Sequence, residues 1–526
     1  MGLSGRSLLL VPAAVFGAFA LAATAQTEPE PGATGVVAGH TPAQGTQAQT
    51  ALRRDPDRAQ LWLSPGADAV LPAAVDYTAG EGRFALIDAA GPVPLAGHPF
   101  FTPIGENGRA CVTCHQPSDG MSISAATAQA RWTATGGKDP LFAAIDGSNC
   151  PSLPQDRRAS HSLLLERGLF RIFLPWPPRA ADGTPIAPEF TIEVVRDPTG
   201  CNTDPVYGLN SPNPMVSIFR RPRPVMNMKF VTTADGFFNI KTGEVFPRDP
   251  ETGAFVSQQL MADSRQLTLK TQAVEAAVTH LQIKGRPTDA QLAAIAAFEM
   301  QLFGAQGFDR RAGALDAEGL GPAALRDKPA GLLGDNTHQP VFGKFDAWKA
   351  APGQGRRTRA FRESVARGEQ VFLLRTFWIR DATHLNTIGL GNPVKRTCAT
   401  CHNAYMTGMD LAPGWMDIGV NNRPWADPNP DLPLFRLTCR PDVEPHPFLG
   451  RVVLTHDPGR ALISGKCVDI GSITMQQMRG LAARAPYFAN GSAKDLAALV
   501  DFYDRRFDIR YTPRERRDLI NFLSVL

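Results

Sequence analysis

Apolar residues recur at helical spacing in several stretches of the chain. Leu496, Leu499, Val500 and Tyr503 fall at i, i+3, i+4 and i+7, so residues 494–506 are expected to form a helix with one apolar face. Leu292, Ile295, Phe298 and Leu302 form the buried side of a second helix. It opens at Thr288-Asp289-Ala290-Gln291, where a Thr N-cap and a Gln three residues on make a capping box, and is expected to run through Phe303. Thr512-Pro513-Arg514-Glu515 combines an N-cap, a first-turn proline and an N3 glutamate, and starts the last helix. Phe190 to Arg196 alternates and reads as a short strand. At the amino end a basic start, Met1 to Arg6, precedes an apolar run from Leu8 to Ala23 and the small-residue site Ala23-Thr24-Ala25. This pattern predicts an export signal cleaved before Gln26. Pro12 and Gly17 interrupt the run, which is short for a membrane span, and no later stretch supplies an uninterrupted apolar segment of that length. The mature protein is therefore expected to have no membrane span.

Composition changes this picture only modestly. The 526 residues carry a formal net charge of +4 and no basic tract, which argues against nucleic acid as a partner. Gly 48 and Pro 45 predict long loops. With helices the most legible elements, the expected fold class is mainly α with few short strands. The expected organisation is a signal peptide (1–25), a flexible leader rich in Pro, Gly, Thr, Gln and Ala (26–58), an N-terminal unit (59–308), a Gly- and charge-rich linker (309–359) and a C-terminal unit (360–526).

The cysteines change it most. Four of the eight lie in Cys111-Val112-Thr113-Cys114-His115 and Cys398-Ala399-Thr400-Cys401-His402. In this spacing two thiols one turn apart can add across the two vinyl groups of a haem, and the next residue presents its imidazole to the iron. This composition would produce one such motif by chance in about two chains in a thousand, and two far less often. A lone Cys-x-x-Cys would leave a redox dithiol or a zinc site open. The adjoining His, the repetition and the export signal favour two covalent haems c, with Cys111, Cys114, Cys398 and Cys401 as attachment points and His115 and His402 as iron ligands. The other four cysteines, Cys150, Cys201, Cys439 and Cys467, are expected to pair in an oxidising compartment. Proximity along the chain favours Cys150–Cys201 and Cys439–Cys467 among three possible pairings. Eight histidines remain as candidates for the far sides of the irons: His40, His98, His161, His280, His338, His384, His446 and His456.

The stretch Arg479-Gly480-Leu481-Ala482-Ala483-Arg484-Ala485-Pro486-Tyr487-Phe488-Ala489-Asn490-Gly491-Ser492 resembles the second-haem loop of bacterial di-haem cytochrome c peroxidases. Leu499 to Phe507, Leu519 to Leu523 and Ala366-Arg367-Gly368-Glu369-Gln370-Val371-Phe372 continue the likeness. So do Asn107-Gly108-Arg109-Ala110, Arg220-Arg221-Pro222 and Asn227-Met228-Lys229-Phe230 in the first half. The same superfamily holds the MauG-type maturase that makes tryptophan tryptophylquinone and the di-haem rubber oxygenases.

The resemblance implies two mostly helical cytochrome c domains facing each other, in a periplasmic protein that transfers electrons and reduces hydrogen peroxide at the first haem. A small donor protein, a cytochrome c or a cupredoxin, would supply the electrons. It also implies a calcium ion between the domains, bound partly by carbonyls that match Arg484 and Pro486. At the second haem the matching sixth ligand is Tyr503, with Met475 and Met478 as alternatives. At the first haem the catalytic acid falls at Gln282, beside His280, with Glu275 one helical turn away; His280 is the better candidate for base or ligand. Three departures stand out: Ala234-Asp235-Gly236 replaces the family's Trp-Asp-Gly, Ala489 replaces the loop histidine, and Gln282 replaces the acid. They keep two alternatives in view, an electron-transfer cytochrome without chemistry of its own and an oxygenase or maturase acting on an organic or protein substrate.

Overall fold

Thr288 caps the helix Asp289–Gln301 as expected, its hydroxyl accepting from the Gln291 amide. Leu292, Ile295 and Phe298 are buried. The helix stops before Phe303 because Leu302 turns extended (φ −85°, ψ 125°) and begins the strand Leu302–Asp309. That strand lies between Gly82–Asp88 and Gly313–Ala314, and Ala74–Ala79 completes a four-stranded antiparallel sheet. Phe84 and Leu86 from the sheet join Leu292, Ile295 and Phe298 from the helix in one core, together with Ala110 and Val112. The first cysteine motif is thereby seated directly on this core. The computed structural model describes residues 61–232, 238–239, 244–245, 247–327, 345–350, 354–383, 391–402 and 415–526. The expected signal and leader, His40, His338, His384 and Ala234-Asp235-Gly236 lie outside the described residues.

A second core supports the other motif. Helix Arg356–Leu374 packs against the last helix, Pro513–Leu523, around Phe361, Val365, Phe372, Leu519 and Phe522. Gly368 allows the close approach, since a Cβ there would lie 2.0 Å from the Asp518 carbonyl oxygen. Asp518, 2% exposed, accepts hydrogen bonds from Ser364 and from Arg367 Nε (2.7 Å) across the same contact. The capping box of Thr512 and Glu515 is present. The helix Leu496–Phe507 starts at Asp495, whose carboxylate accepts from the Ala498 amide, and it carries Tyr503 inward.

Phe190–Arg196 is the strand its alternation predicted. Its partner is Leu434–Cys439, far away in sequence, and Val452–Thr455 completes that three-stranded sheet. Disulfides join Cys150 to Cys201 and Cys439 to Cys467, the pairing that chain proximity favours.

The expectation of a mainly α fold is overturned. Helix accounts for 31% of the structure and strand for 19%, in several small sheets. The physical reason lies in burial. Gly82–Asp88, Met215–Arg220 and Leu302–Asp309 are covered on both faces, so their apolar residues do not alternate and give no strand period. Their pairing partners are also non-local, as for Leu302–Asp309 with Gly82–Asp88, and a sequence read window by window carries no record of them.

Candidate functional site

The two Cys-x-x-Cys-His motifs fold alike. Cys111–Thr113 and Cys398–Thr400 are each one 3-10 turn, and the hydroxyl of the third residue accepts from the N-cap amide (Ala110 N to Thr113 Oγ1 3.0 Å; Thr397 N to Thr400 Oγ1 3.3 Å). The His115 and His402 amides then donate to the Cys111 and Cys398 carbonyls at 3.1 and 3.0 Å. None of the four cysteines is in a disulfide. Each motif lines its own cavity, and the lining of both is mainly apolar. Burial pushes the Cys114 thiol up to about 12 and the Cys398 thiol up to about 11, and raises Cys111 as well. A redox dithiol needs the opposite shift. Among the described residues no three His, Cys, Asp or Glu gather as a metal-binding group. Mainly apolar cavities with two neutral thiols and a histidine at the wall fit covalent haem.

At the first cavity, His115 Nδ1 donates to the Met121 carbonyl at 3.0 Å. Gly120 (φ 64°) and Met121 (φ 57°) are both left-handed, and this turn brings the carbonyl back onto the ring. The bond fixes the tautomer that leaves Nε2 with its lone pair. Burial lowers the His115 pKa to about 4, so the ring is neutral.

His280 lines the same cavity and caps the C-terminus of helix Leu269–Thr279. Its Nδ1 lies 2.5 Å from Asp146 Oδ2, and Arg109 Nη1 donates to the other oxygen of that carboxylate. Arg109 is fully buried and also donates to the carbonyls of Pro140 (2.6 Å) and Leu141 (2.8 Å). Burial alone would raise the Asp146 pKa, but Arg109 and His280 outweigh it and hold the carboxyl below its ordinary range. The result is a histidine with one nitrogen anchored on a buried carboxylate, its side chain 26% exposed and the Asp146 side chain 1%.

Two other candidates do not reach this cavity. Gln282 lies beyond the helix end, exposed and left-handed (φ 54°), because the chain reverses there. Glu275 is engaged with Arg265 Nε (2.6 Å) and Gln266 Nε2 (2.5 Å). Glu299 is brought in instead. It is 3% exposed and lines the first cavity, its Oε2 has no hydrogen-bond partner among the described residues, and burial raises its pKa to about 8. Its position was open to sequence reasoning, since it follows Leu292 by seven and Ile295 by four on the buried face of its helix. Asp146 gave no such signal, being 134 residues from His280.

At the second cavity the Tyr503 hydroxyl lies 3.2 Å from His402 Nε2. Burial raises the Tyr503 pKa, and Phe488, Phe502 and Phe507 surround its ring. Met475 and Met478 also line this cavity. Arg221, Gln476 and Gln477 line both cavities and form a shared wall.

The other described histidines are structural. His161 bonds the carbonyls of Gly147 (2.7 Å) and Gln155 (3.0 Å), and His456 that of Pro433 (2.8 Å). His98 and His446 accept from backbone amides two residues on.

No family model and no curated protein matches the chain. One solved structure, a crystal structure of a MauG-like protein associated with microbial copper homeostasis, is similar at 15% identity with a TM-score of 0.27, over 57% of this chain and 80% of that one; a likeness this slight assigns neither fold nor activity.

Proposed function

We propose that this is an exported di-haem c-type protein that accepts electrons at its second motif and reduces peroxide at its first. Haems would be held by Cys111 and Cys114 and by Cys398 and Cys401, with His115 and His402 as iron ligands. Such groups supply irons that change oxidation state and, where a coordination position is open, bind peroxide or oxygen. The observation that carries the reading is the unequal company of the two histidines. His402 Nε2 meets a phenol hydroxyl at 3.2 Å, which supports Tyr503 as the residue that would hold the second group's iron together with His402. The first cavity instead contains a histidine whose Nδ1 is committed to Asp146.

That commitment leaves His280 Nε2 to take a proton from one peroxide oxygen and return it to the other, the work a general acid–base must do in O–O cleavage. Asp146 fixes the ring orientation and stabilises the imidazolium that forms in between, while Arg109 keeps Asp146 ionised. The two disulfides fit an oxidising compartment.

The test is to add hydrogen peroxide to the ferric, haem-loaded protein and follow the Soret band. A fast change reversed by an electron donor is expected. An unchanged spectrum with both irons low-spin would overturn peroxide reduction and leave an electron carrier.

A further inference from the structure

Arg221 is 6% exposed. Its guanidinium is surrounded by backbone oxygens. Nη1 donates to the Arg484 carbonyl at 2.6 Å and to the Pro486 carbonyl, and Nη2 donates to the Ile123 carbonyl at 2.7 Å. Nε has no hydrogen-bond partner among the described residues, and the Arg221 amide donates to the Ala489 carbonyl at 2.8 Å. Asp119 is the carboxylate whose charge Arg221 feels, and burial lowers the Arg221 pKa to about 10, which keeps it a cation at neutral pH.

Two of these carbonyls, those of Arg484 and Pro486, are the ones that the sequence resemblance assigned to a calcium ion. Calcium takes 6–8 oxygens at roughly 2.3–2.6 Å, usually with carboxylates among them. Here the Arg484 and Pro486 oxygens are already committed to a guanidinium. A second buried guanidinium, that of Arg484, donates to the carbonyls of Gln477 (2.7 Å) and Arg479 (3.1 Å) beside it. A divalent cation would displace one fixed positive charge and be repelled by another. The residues present do not fit calcium.

We infer that Arg221 is the resident cation at the junction of the two cavities: its guanidinium takes the carbonyl oxygens a divalent ion would need, and it holds and charges the shared wall without a bound metal. Three segments converge on one side chain, the turn at Ile123, the strand end at Arg220 and the loop 484–489. Because Arg221 lines both cavities, its charge is set between the two proposed redox centres. A positive charge there favours the electron-rich state of each, so removing it shifts both reduction potentials downward. The metal independence stands whether or not the protein reduces peroxide.

The experiment uses the haem-loaded protein, desalted and then dialysed with EGTA or with calcium chloride. Calcium content is measured by elemental analysis, alongside the melting temperature and the visible and EPR spectra. Substoichiometric calcium, with an identical melting temperature and spectra in the two buffers, is expected. One calcium per chain that survives desalting, and whose removal lowers the melting temperature or alters the spectra, would overturn the inference. In Arg221→Met the melting temperature and both potentials are expected to fall, with added calcium restoring part of the melting temperature; Arg221→Lys retains most of both. An Arg221→Met protein with unchanged melting temperature and potentials would also overturn it. If that variant does not fold, the chelation arm on the unaltered protein decides alone.

Discussion

Around Cys111 and around Cys398 the chain makes the same 3-10 turn, closed by the same threonine bond and continued by a histidine whose amide returns to the first cysteine carbonyl. The surroundings then diverge. At the first motif the histidine ring is tied to a backbone carbonyl, and a His–Asp–Arg chain lines the cavity with it. At the second the ring meets a tyrosine among phenylalanines. The geometry of the motif is thus a local property, whereas each cavity also receives a side chain from more than a hundred residues away, His280 at the first and Tyr503 at the second. The pairings of Asp146 with His280 and of His402 with Tyr503 span 134 and 101 residues.

This contrast can be broken at several points. The largest effect is expected from His280→Ala, which should slow the peroxide-driven Soret change by roughly 10²- to 10⁴-fold, the usual worth of a positioned acid–base. The EPR signature of the second centre should stay as it was. Tyr503→Phe should do the reverse, changing the spin state or ligand field of the second centre. If the two variants gave the same pattern of change, the division of labour between the cavities would be wrong.

Next comes Asp146→Ala. Arg109 would keep its buried charge without its carboxylate, a loss on the order of 3–5 kcal/mol that denaturant unfolding would register. Asp146→Asn should preserve more stability but slow the peroxide reaction by roughly 10- to 100-fold, as loss of a supporting partner typically does. Full activity in a folded Asp146→Asn protein would remove the orienting role.

Glu299 gives a smaller effect with a distinct pH signature. Its pKa of about 8 lies above the ordinary 4.5, so the native state retains a proton that the unfolded chain releases across that interval. The contribution is fully present below the unfolded pKa and is lost as pH rises through about 8. Glu299→Gln should therefore flatten the stability profile between pH 4.5 and about 8, removing a downward slope of roughly 1.4 kcal/mol per pH unit. Unchanged melting curves from pH 5 to 9 would show that the cavity solvates this carboxyl. The smallest change is expected from Thr512→Ala, about 1 kcal/mol from the lost cap, with neither centre's spectrum altered.

What was legible followed from short-range physics. Capping boxes at Thr288 and Thr512 and the apolar stripe from Leu496 to Tyr503 each lie within one or two turns, so the residues that cause the structure sit beside those that adopt it. The same holds for the alternating strand Phe190–Arg196. The disulfides join cysteines 51 and 28 residues apart, the pairing that proximity along the chain favours. The exposure of Gln282 was not legible, because a position three residues past a helix end is decided by the turn, and the left-handed turn there sends it to solvent. The fold class was misjudged because strands buried on both faces have no period to read.

By itself, then, the sequence determined the turns of the two Cys-x-x-Cys-His motifs, the principal helices with their caps, the strand Phe190–Arg196 and the favoured cysteine pairing. Tertiary structure alone decided the sheet partners, the anchoring of His280 on Asp146, the burial of Glu299 beside the first cavity and the seating of Arg221 on three carbonyls. The dividing reason is range. Caps and periodicity are satisfied by neighbours in the chain, whereas buried charges and ladder hydrogen bonds must find partners that only the packed chain brings within reach.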